Sequence, residues 1–278
     1  MSASGTGPGP FPGTTAGSAA QKQNASTCAL LTSFDEHLAG AGRSRCLADA
    51  RTAFAETGFV KAGFLAPDLV KAHLGAEARA LAAAHGVRRD MALAETGFTP
   101  RRMRNVRRRE IHRHGRLIPA LYGHPALRRA LGHVAGEDVL ECPYEPEQYV
   151  ITELTVRGDT HGWHWDDYSF ALVWVIDCPP PADGGFVECV PHTTWDKDDS
   201  RLHRLLIDRP PHPLLLAPGD LYVMRTDRTL HRVHPLHAGR RLIVNMAYAS
   251  RSDLGKPVSH ETMDALWAEG PATPGGFT

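Results

Sequence analysis

From Val139 onward the chain is punctuated by turns. Val139-Leu140, Gln148 to Val156, Phe170 to Ile176, Phe186 to Val190, Leu214 to Leu216, Leu221 to Met224, Leu230 to Val233 and Leu242 to Tyr248 are short, largely apolar runs. Clusters of Gly, Pro and Asp part them: Pro179 to Gly185, Pro210-Pro211 and Ala217-Pro218-Gly219-Asp220. Each run stops too soon to lay an apolar stripe along several helical turns, but each is long enough for a strand. Many short strands at such intervals make a sandwich or a barrel. Helical periodicity concentrates before Gly136. The expected fold is therefore mainly β with flanking helices (α+β), around a double-stranded β-helix, the cupin-like jelly roll.

The flanking pattern is helical from Ser33 to about Gly58, with Leu47, Ala50, Phe54 and Ala55 on one face. Phe59 to Phe64 is a short strand candidate. Ala66-Pro67-Asp68 opens another helix, with proline suited to its first turn, and Val70, Leu74, Ala78 and Leu81 repeat to its end at Gly86. Residues 117 to 134 carry Leu121, Leu127, Leu131 and Val134 on one or two short helices. A last helix over His260 to Glu269 puts Met263, Leu266 and Trp267 on one face and would cap the barrel or cover its mouth. Residues 1–27 hold hardly any large apolar side chain and read as a disordered tail. What remains, 28–278, is expected as a single domain. Its parts are mostly helical support over 28–136, the jelly-roll core over 137–250, and a C-terminal helix or lid over 251–278.

Charge narrows the function. Lys+Arg and Asp+Glu both number 31, so the chain is formally neutral. That speaks against a nucleic acid or a membrane surface as partner. The arginines between residues 96 and 114 read mostly as a solvated face. Arg101 and Arg102 differ, because they follow Thr99-Pro100 in a segment that can turn back toward the core. Five scattered cysteines without a C-x-x-C fit a reducing cytoplasm. No apolar run reaches membrane-spanning length and no apolar signal segment stands at the N-terminus, so a cytoplasmic protein is expected.

The chemistry concentrates at Thr160-His161-Gly162-Trp163-His164-Trp165-Asp166-Asp167-Tyr168. On an extended strand, positions i and i+2 share a face, so His164 and Asp166 can grip one metal ion. A third ligand from a distant strand would complete a 2-His-1-carboxylate triad, which leaves open positions on non-heme Fe(II) for a cosubstrate and O₂. His231, His234 and His237 compete for that role. His231 is preferred, because Pro235 cannot donate to a sheet ladder and marks the strand's end. That leaves His234 at the rim and His237 in a loop. In the next strand, period-two alternation puts Arg241, Ile243, Asn245 and Ala247 on one face. Polar Asn245 in an apolar strand needs a partner. That face is the pocket face, and Arg241 can meet the far carboxylate of a dicarboxylic cosubstrate bidentately. The blander alternative makes Arg240 and Arg241 both surface charges.

With these residues the chain resembles the iron(II)/2-oxoglutarate-dependent dioxygenases over roughly Phe54 to Ser250. The segments His161 to Tyr168, Thr226 to Val233 and Arg240 to Ala247 are similar to a narrower group that acts on free amino acids: radical halogenases of lysine and related amino acids, and their hydroxylase relatives. The resemblance implies that His164, Asp166 and His231 hold Fe(II), that Arg241 anchors 2-oxoglutarate, and that O₂ is consumed. It further implies that C–H hydroxylation is coupled to oxidative decarboxylation of 2-oxoglutarate to succinate and CO₂. In the halogenases a glycine replaces the carboxylate of His-x-Asp and chloride takes its coordination position. Asp166 is a departure from that pattern and favours hydroxylation. The resemblance also places Glu147, His161, Asp167, Asn245 and one of Arg101 and Arg102 against the amino acid. Glu147 and Asp167 together would suit a substrate with a second cationic end, such as lysine, ornithine or arginine. Two alternatives stay open: halogenation or desaturation by the same iron chemistry, and a non-catalytic cupin-like protein or zinc site. Zinc favours closed N/S coordination, and no cysteine is expected near these histidines.

Overall fold

The computed structural model describes residues 16–268. Among the described residues, twelve strands form one strongly curled, wholly antiparallel sheet. Its main path runs β1 (Phe59–Lys61), β10 (Leu221–Arg225), β7 (Phe170–Asp177), β12 (Arg241–Ala249), β5 (Tyr149–Leu154), β3 (Pro100–Val106), β6 (Thr160–His164), β11 (Thr229–Val233), β8 (Val187–Pro191) and β9 (His212–Leu214). β2 (Val87–Ala92) extends β3, and β4 (Leu140–Glu141) extends β12. The two halves of the roll meet at β3. Its start, Arg101 and Arg102, pairs with β6, and its end, Arg104 to Val106, pairs with β5. One strand thus turns the corner that closes the jelly roll.

Helices α1 (Ala16–Ala39), α2 (Arg43–Thr57), α3 (Asp68–His85), α4 (Arg108–His114), α5 (Leu117–Tyr122) and α6 (Pro125–Ala135) lie in the first half of the chain. From them, Phe34, Val70, Leu74 and Leu131 pack on Leu172, Trp174, Val244 and Met246 of β7 and β12. The opposite face of β7, Ala171, Val173 and Val175, turns into the roll against Cys189, Tyr222 and Met224. Both faces of β7 are covered, which is why Phe170 to Ile176 reads as an unbroken apolar run. Trp174 is 1% exposed at the centre of the covered face. Truncating it to alanine costs about 3–5 kcal/mol. Gly58, at φ 73°, ends α2 and turns the chain straight into β1. A Cβ there would also meet Thr229 Oγ1 at 2.9 Å.

Several expectations need correction. α1 begins at Ala16, inside the stretch 1–27 read as a tail. Alanine-rich sequence carries helix propensity without large apolar side chains. Residues 1–15 lie outside the described residues. The single helix expected from Ser33 breaks at Gly40 to Gly42, where Gly42 has φ 84°, and resumes as α2. The strand Phe59 to Phe64 shortens to β1, because Gly63–Leu65 forms a 3₁₀ turn. The arginine-rich stretch is no solvated face alone. It contains β3, with Arg101, Met103 and Asn105 turned inward and Arg102 outward. Charge masked a period-two strand. A seventh helix, α7 (Leu202–Asp208), interrupts the strand region, and α8 (Glu261–Trp267) forms where the last helix was expected. Glu269 lies outside the described residues.

Candidate metal centre and substrate pocket

The interior of the roll opens as a cavity between its two halves. His164 ends β6 and His231 sits in β11, directly paired across the ladder. Cross-strand partners point to the same side, and the two rings stand 4.1 Å apart, tilted by 49°. His164 Nδ1 contacts Gly162 O at 2.6 Å, and His231 Nδ1 contacts Thr229 O at 2.8 Å. A carbonyl only accepts, so each Nδ1 carries the proton and each Nε2 keeps a free lone pair. Burial, then the neighbours His161, His231 and Arg101, hold the His164 pKa well below the usual imidazole value. The ring is neutral, the form that ligates metal.

Asp166 lies just past the end of β6 rather than on the strand, a correction to the strict i, i+2 picture. Its Oδ1 still reaches within 3.6 Å of His164 Nε2. One ligand atom each from His164, Asp166 and His231 lies within 4.8 Å of the other two. The donor set of two imidazole nitrogens and one carboxylate, with tautomers fixed by the backbone, fits a divalent first-row metal. Gly162 makes this approach possible. A Cβ there would meet Pro100 O at 2.6 Å and Thr99 Oγ1 at 2.7 Å. The same Thr99 hydroxyl donates to Trp163 O at 2.9 Å and pins β6.

His234 pairs with Glu188 at 3.0 Å and stacks on Phe186. Neither it nor His237 lines the cavity. One cysteine is nearer than expected: Cys189 of β8 is the ladder partner of His231. Its thiol is buried among Val187, Tyr222 and Met224, and burial pushes its pKa up, away from the thiolate that binds metal.

Arg240 and Arg241 separate cleanly. Arg240 turns outward onto Glu153 at 2.7 Å and Asp177 at 3.2 Å. Arg241 is 0% exposed in the cavity wall. Among the described residues, none of its three guanidinium nitrogens meets an acceptor in full hydrogen-bond geometry and none faces a carboxylate; the Tyr222 hydroxyl is the polar neighbour close enough to interact with it. A buried, unpaired charge is too costly to keep without a partner. The cavity there asks for an anion with planar, forked oxygens.

The other end of the cavity is acidic. Glu147 closes a 3₁₀ turn, Glu145–Glu147, and is 7% exposed, so it faces the interior rather than solvent. Its Oε2 has no partner among the described residues. Asp167 follows the His-x-Asp, and Glu147, Asp167 and His260 bring ligand atoms within 4.8 Å of one another. Burial, then the charges of Asp167 and Asp166, raise the Glu147 carboxyl well above the ordinary range, with Lys197 opposing. Burial likewise raises Asp167, against its ion pair with Lys197.

Arg101 enters from β3 and is 2% exposed, with Nε and Nη2 lacking acceptors. Burial lowers its pKa to about 10, while Asp166, Glu95 and Asp167 oppose the fall, so it stays charged at neutral pH. Arg102 is exposed on the other face of β3 and is no candidate. His161 stacks on His164 at 3.8 Å with Nε2 unpartnered, and Asn245 Oδ1 is likewise unpartnered among the described residues. Both line the cavity.

Sequence reasoning missed Lys197 and His260. Lys197 stands in an aspartate-rich loop that looks like solvated surface, and no local signal says that it turns inward. α8 forms part of the roof: Thr262, Met263 and Leu266 line the cavity. It is fastened by Tyr144 Oη donating to Asp264 at 2.7 Å and Thr262 Oγ1 donating to Glu95 at 3.2 Å.

Residues 43–268 match a family described as HalD, Halogenase D. No curated protein matches the chain. Among solved structures, an oxidoreductase of the 2OG-Fe(II) oxygenase family from Burkholderia pseudomallei is similar with TM-score 0.52 and 19% identity, covering 73% of this chain and 90% of that one. AviO1 from Streptomyces viridochromogenes Tue57 is similar with TM-score 0.56 and 21% identity, covering 77% and 97%. The epimerase SnoN in complex with Fe3+, alpha ketoglutarate and nogalamycin RO is similar with TM-score 0.55 and 18% identity, covering 82% and 92%. At these identities the likeness establishes the fold, which is the jelly roll of the 2-oxoglutarate–iron oxygenases. Among the described residues, no helix is long and apolar enough to cross a membrane.

Proposed function

Since the chain belongs to the Halogenase D family, within the 2-oxoglutarate–iron oxygenase fold, we propose that it hydroxylates a free L-amino acid with a basic side chain. His164, Asp166 and His231 would hold Fe(II), and Arg241 would hold the distal carboxylate of 2-oxoglutarate. With O₂, that pair would supply C–H oxidation coupled to decarboxylation of 2-oxoglutarate to succinate and CO₂. The observation that carries this reading is Arg241: a buried guanidinium that faces no carboxylate among the described residues, in the same cavity as the three converging ligand atoms.

The residues divide the work. The backbone carbonyls of Gly162 and Thr229 fix both imidazoles as Nδ1–H tautomers. Arg241 gives a dicarboxylate one orientation, because a planar fork accepts only one approach. Trp165, anchored by its Nε1 donating to Thr193 Oγ1 at 2.7 Å, walls the metal side from water. Arg101 and His161 offer donors to a substrate carboxylate. Glu147, Asp167 and Asn245 offer acceptors to its ammonium groups. An ammonium arriving between Glu147 and Asp167 would stabilise both in their charged forms, since opposite charge favours the carboxylate. The five unpaired cysteines suit a reducing cytoplasm.

The test is succinate release across the free L-amino acids, with mass analysis of each. One or more basic amino acids should drive succinate and gain a single oxygen atom. Amino-acid-independent succinate with no modified amino acid would refute the substrate class. The family's description favours a second reading, halogenation. Asp166 occupies the position that a halide needs, so the wild-type protein should hydroxylate even in chloride. An Asp166→Gly variant with chloride is where chlorination should emerge.

A further inference from the structure

Lys197 belongs to neither the metal half of the cavity nor the surface around it. It lies in the loop after β8, and its chain crosses the Trp195 ring with Nζ 4.6 Å from the centroid. Nζ stands 2.7 Å from Asp167 Oδ1. It donates to Ser259 O at 2.6 Å, to Ser259 Oγ at 3.2 Å and to Glu261 Oε2 at 3.2 Å. The contact with Asp167 is an ion pair at hydrogen-bond distance, and it raises the Lys197 pKa against the cost of burial. One ammonium therefore joins the acid beside the metal ligands to the first residues of the roof helix α8.

The charge count at this end of the cavity is informative. Two acids, Glu147 and Asp167, face the space with ligand atoms within 4.8 Å of each other. Lys197 neutralises one of them from the protein's own chain. Among the described residues Glu147 has no ion pair of its own and feels Lys197 only at longer range, and its Oε2 has no partner. With Lys197 in place, the end accepts one cationic group. With Lys197 displaced, it accepts two. We infer that Lys197 is a specificity-determining residue, an internal ammonium that occupies Asp167 until the second cation of a dicationic substrate takes its place. This rests on the amino-acid reading above.

The mechanism follows from competition for one carboxylate. A monocationic amino acid leaves the Lys197–Asp167 pair intact. A dicationic one must break it, and the released Nζ keeps Ser259 and Glu261 as partners, so it is not stranded. The competing contact weakens dications selectively and holds back the discrimination that two bare acids would give. Loosening the roof acts on every substrate alike, so the ratio of two affinities separates the roles.

The experiment is anaerobic calorimetry on protein loaded with Fe(II) and 2-oxoglutarate. L-lysine and L-norleucine, which lacks the terminal ammonium, are titrated into the wild type and into Lys197→Met, Lys197→Arg and Tyr144→Phe. Lys197→Met should shift the ratio of the two dissociation constants toward L-lysine by about tenfold, the effect of losing one competing charge contact to a buried acid. Lys197→Arg should restore the wild-type ratio. Tyr144→Phe, which removes the Tyr144–Asp264 hydrogen bond that fastens α8 and leaves every Lys197 contact in place, should move both constants in parallel. An unchanged ratio in Lys197→Met, with the fold verified by thermal melting, would overturn the inference while leaving the amino-acid reading standing. A wild type that binds neither amino acid would overturn both.

Discussion

The two ends of the cavity are built differently. At the metal end the groups come from strands or the residues just past them. His164 and His231 are cross-strand partners, Arg241 opens β12, and backbone carbonyls set the imidazole tautomers. At the acidic end they come from turns and loops. Glu147 closes a 3₁₀ turn, Asp167 and Lys197 sit in loops, and His260 precedes a short helix. Ladder hydrogen bonds hold the first set, whereas the second hangs on ion pairs and single hydrogen bonds. Chemistry common to a fold belongs on its rigid part, and substrate choice can drift on the part that tolerates change.

That contrast breaks if the strand-borne residues prove dispensable. His164→Ala and His231→Ala should each drop succinate formation to background and lose bound iron. Metal content after anaerobic loading and gel filtration reads this directly, and retained turnover in either variant removes that residue from the metal centre. Next comes Arg241→Ala, which should raise the 2-oxoglutarate KM by roughly a hundredfold, as expected for truncating one side of a buried charge pair. The amino-acid KM should move far less. Arg241→Lys should recover only part of the loss, because a point charge lacks the fork.

The loop-built end should answer in the opposite sense. Asp167→Ala should raise the amino-acid KM about tenfold and barely touch that of 2-oxoglutarate. Equal effects on both constants would place Asp167 outside the substrate end. The smallest effect concerns the turn that leads into the roof. Asp253 is buried, which alone would raise its pKa, but hydrogen bonds from Lys256, Ser169 and Ser250 outweigh that and hold it below the carboxylate norm. A depressed carboxylate stabilises the fold fully above the ordinary carboxylate range and loses that contribution as pH falls through its lowered value. Asp253→Asn should cost about 1–2 kcal/mol at neutral pH. It should also flatten the fall in melting temperature below pH 4. An unaltered acid limb would show that the turn does not depend on this charge.

The same contrast governs what the sequence made legible. Period-two alternation put Arg241 and Asn245 on one face, and Pro235 singled out His231, because strand geometry is local. The β2–β3 hairpin escaped notice, since arginine composition outweighed alternation in Pro100–Val106. Hence Arg101 could not be told from Arg102 until β3 was seen to turn one inward and the other out. Lys197 carries no local signal at all. Its partners Asp167 and Glu261 are distant in sequence, and only the closed roll brings them together. Cys189 near His231 is another tertiary fact, set by the register of β8 on β11.

The proposed function requires that His164, Asp166 and His231 share one metal ion and that Arg241 receive 2-oxoglutarate beside it. Anaerobic addition of Fe(II) and then 2-oxoglutarate to the purified protein tests that most directly, by the weak visible charge-transfer absorption of the chelate. The wild type should develop the band, His231→Ala should not, and Arg241→Ala should need far more 2-oxoglutarate to reach it. Absence of the band in the wild type, with metal and cosubstrate both in excess, would contradict the account at its root.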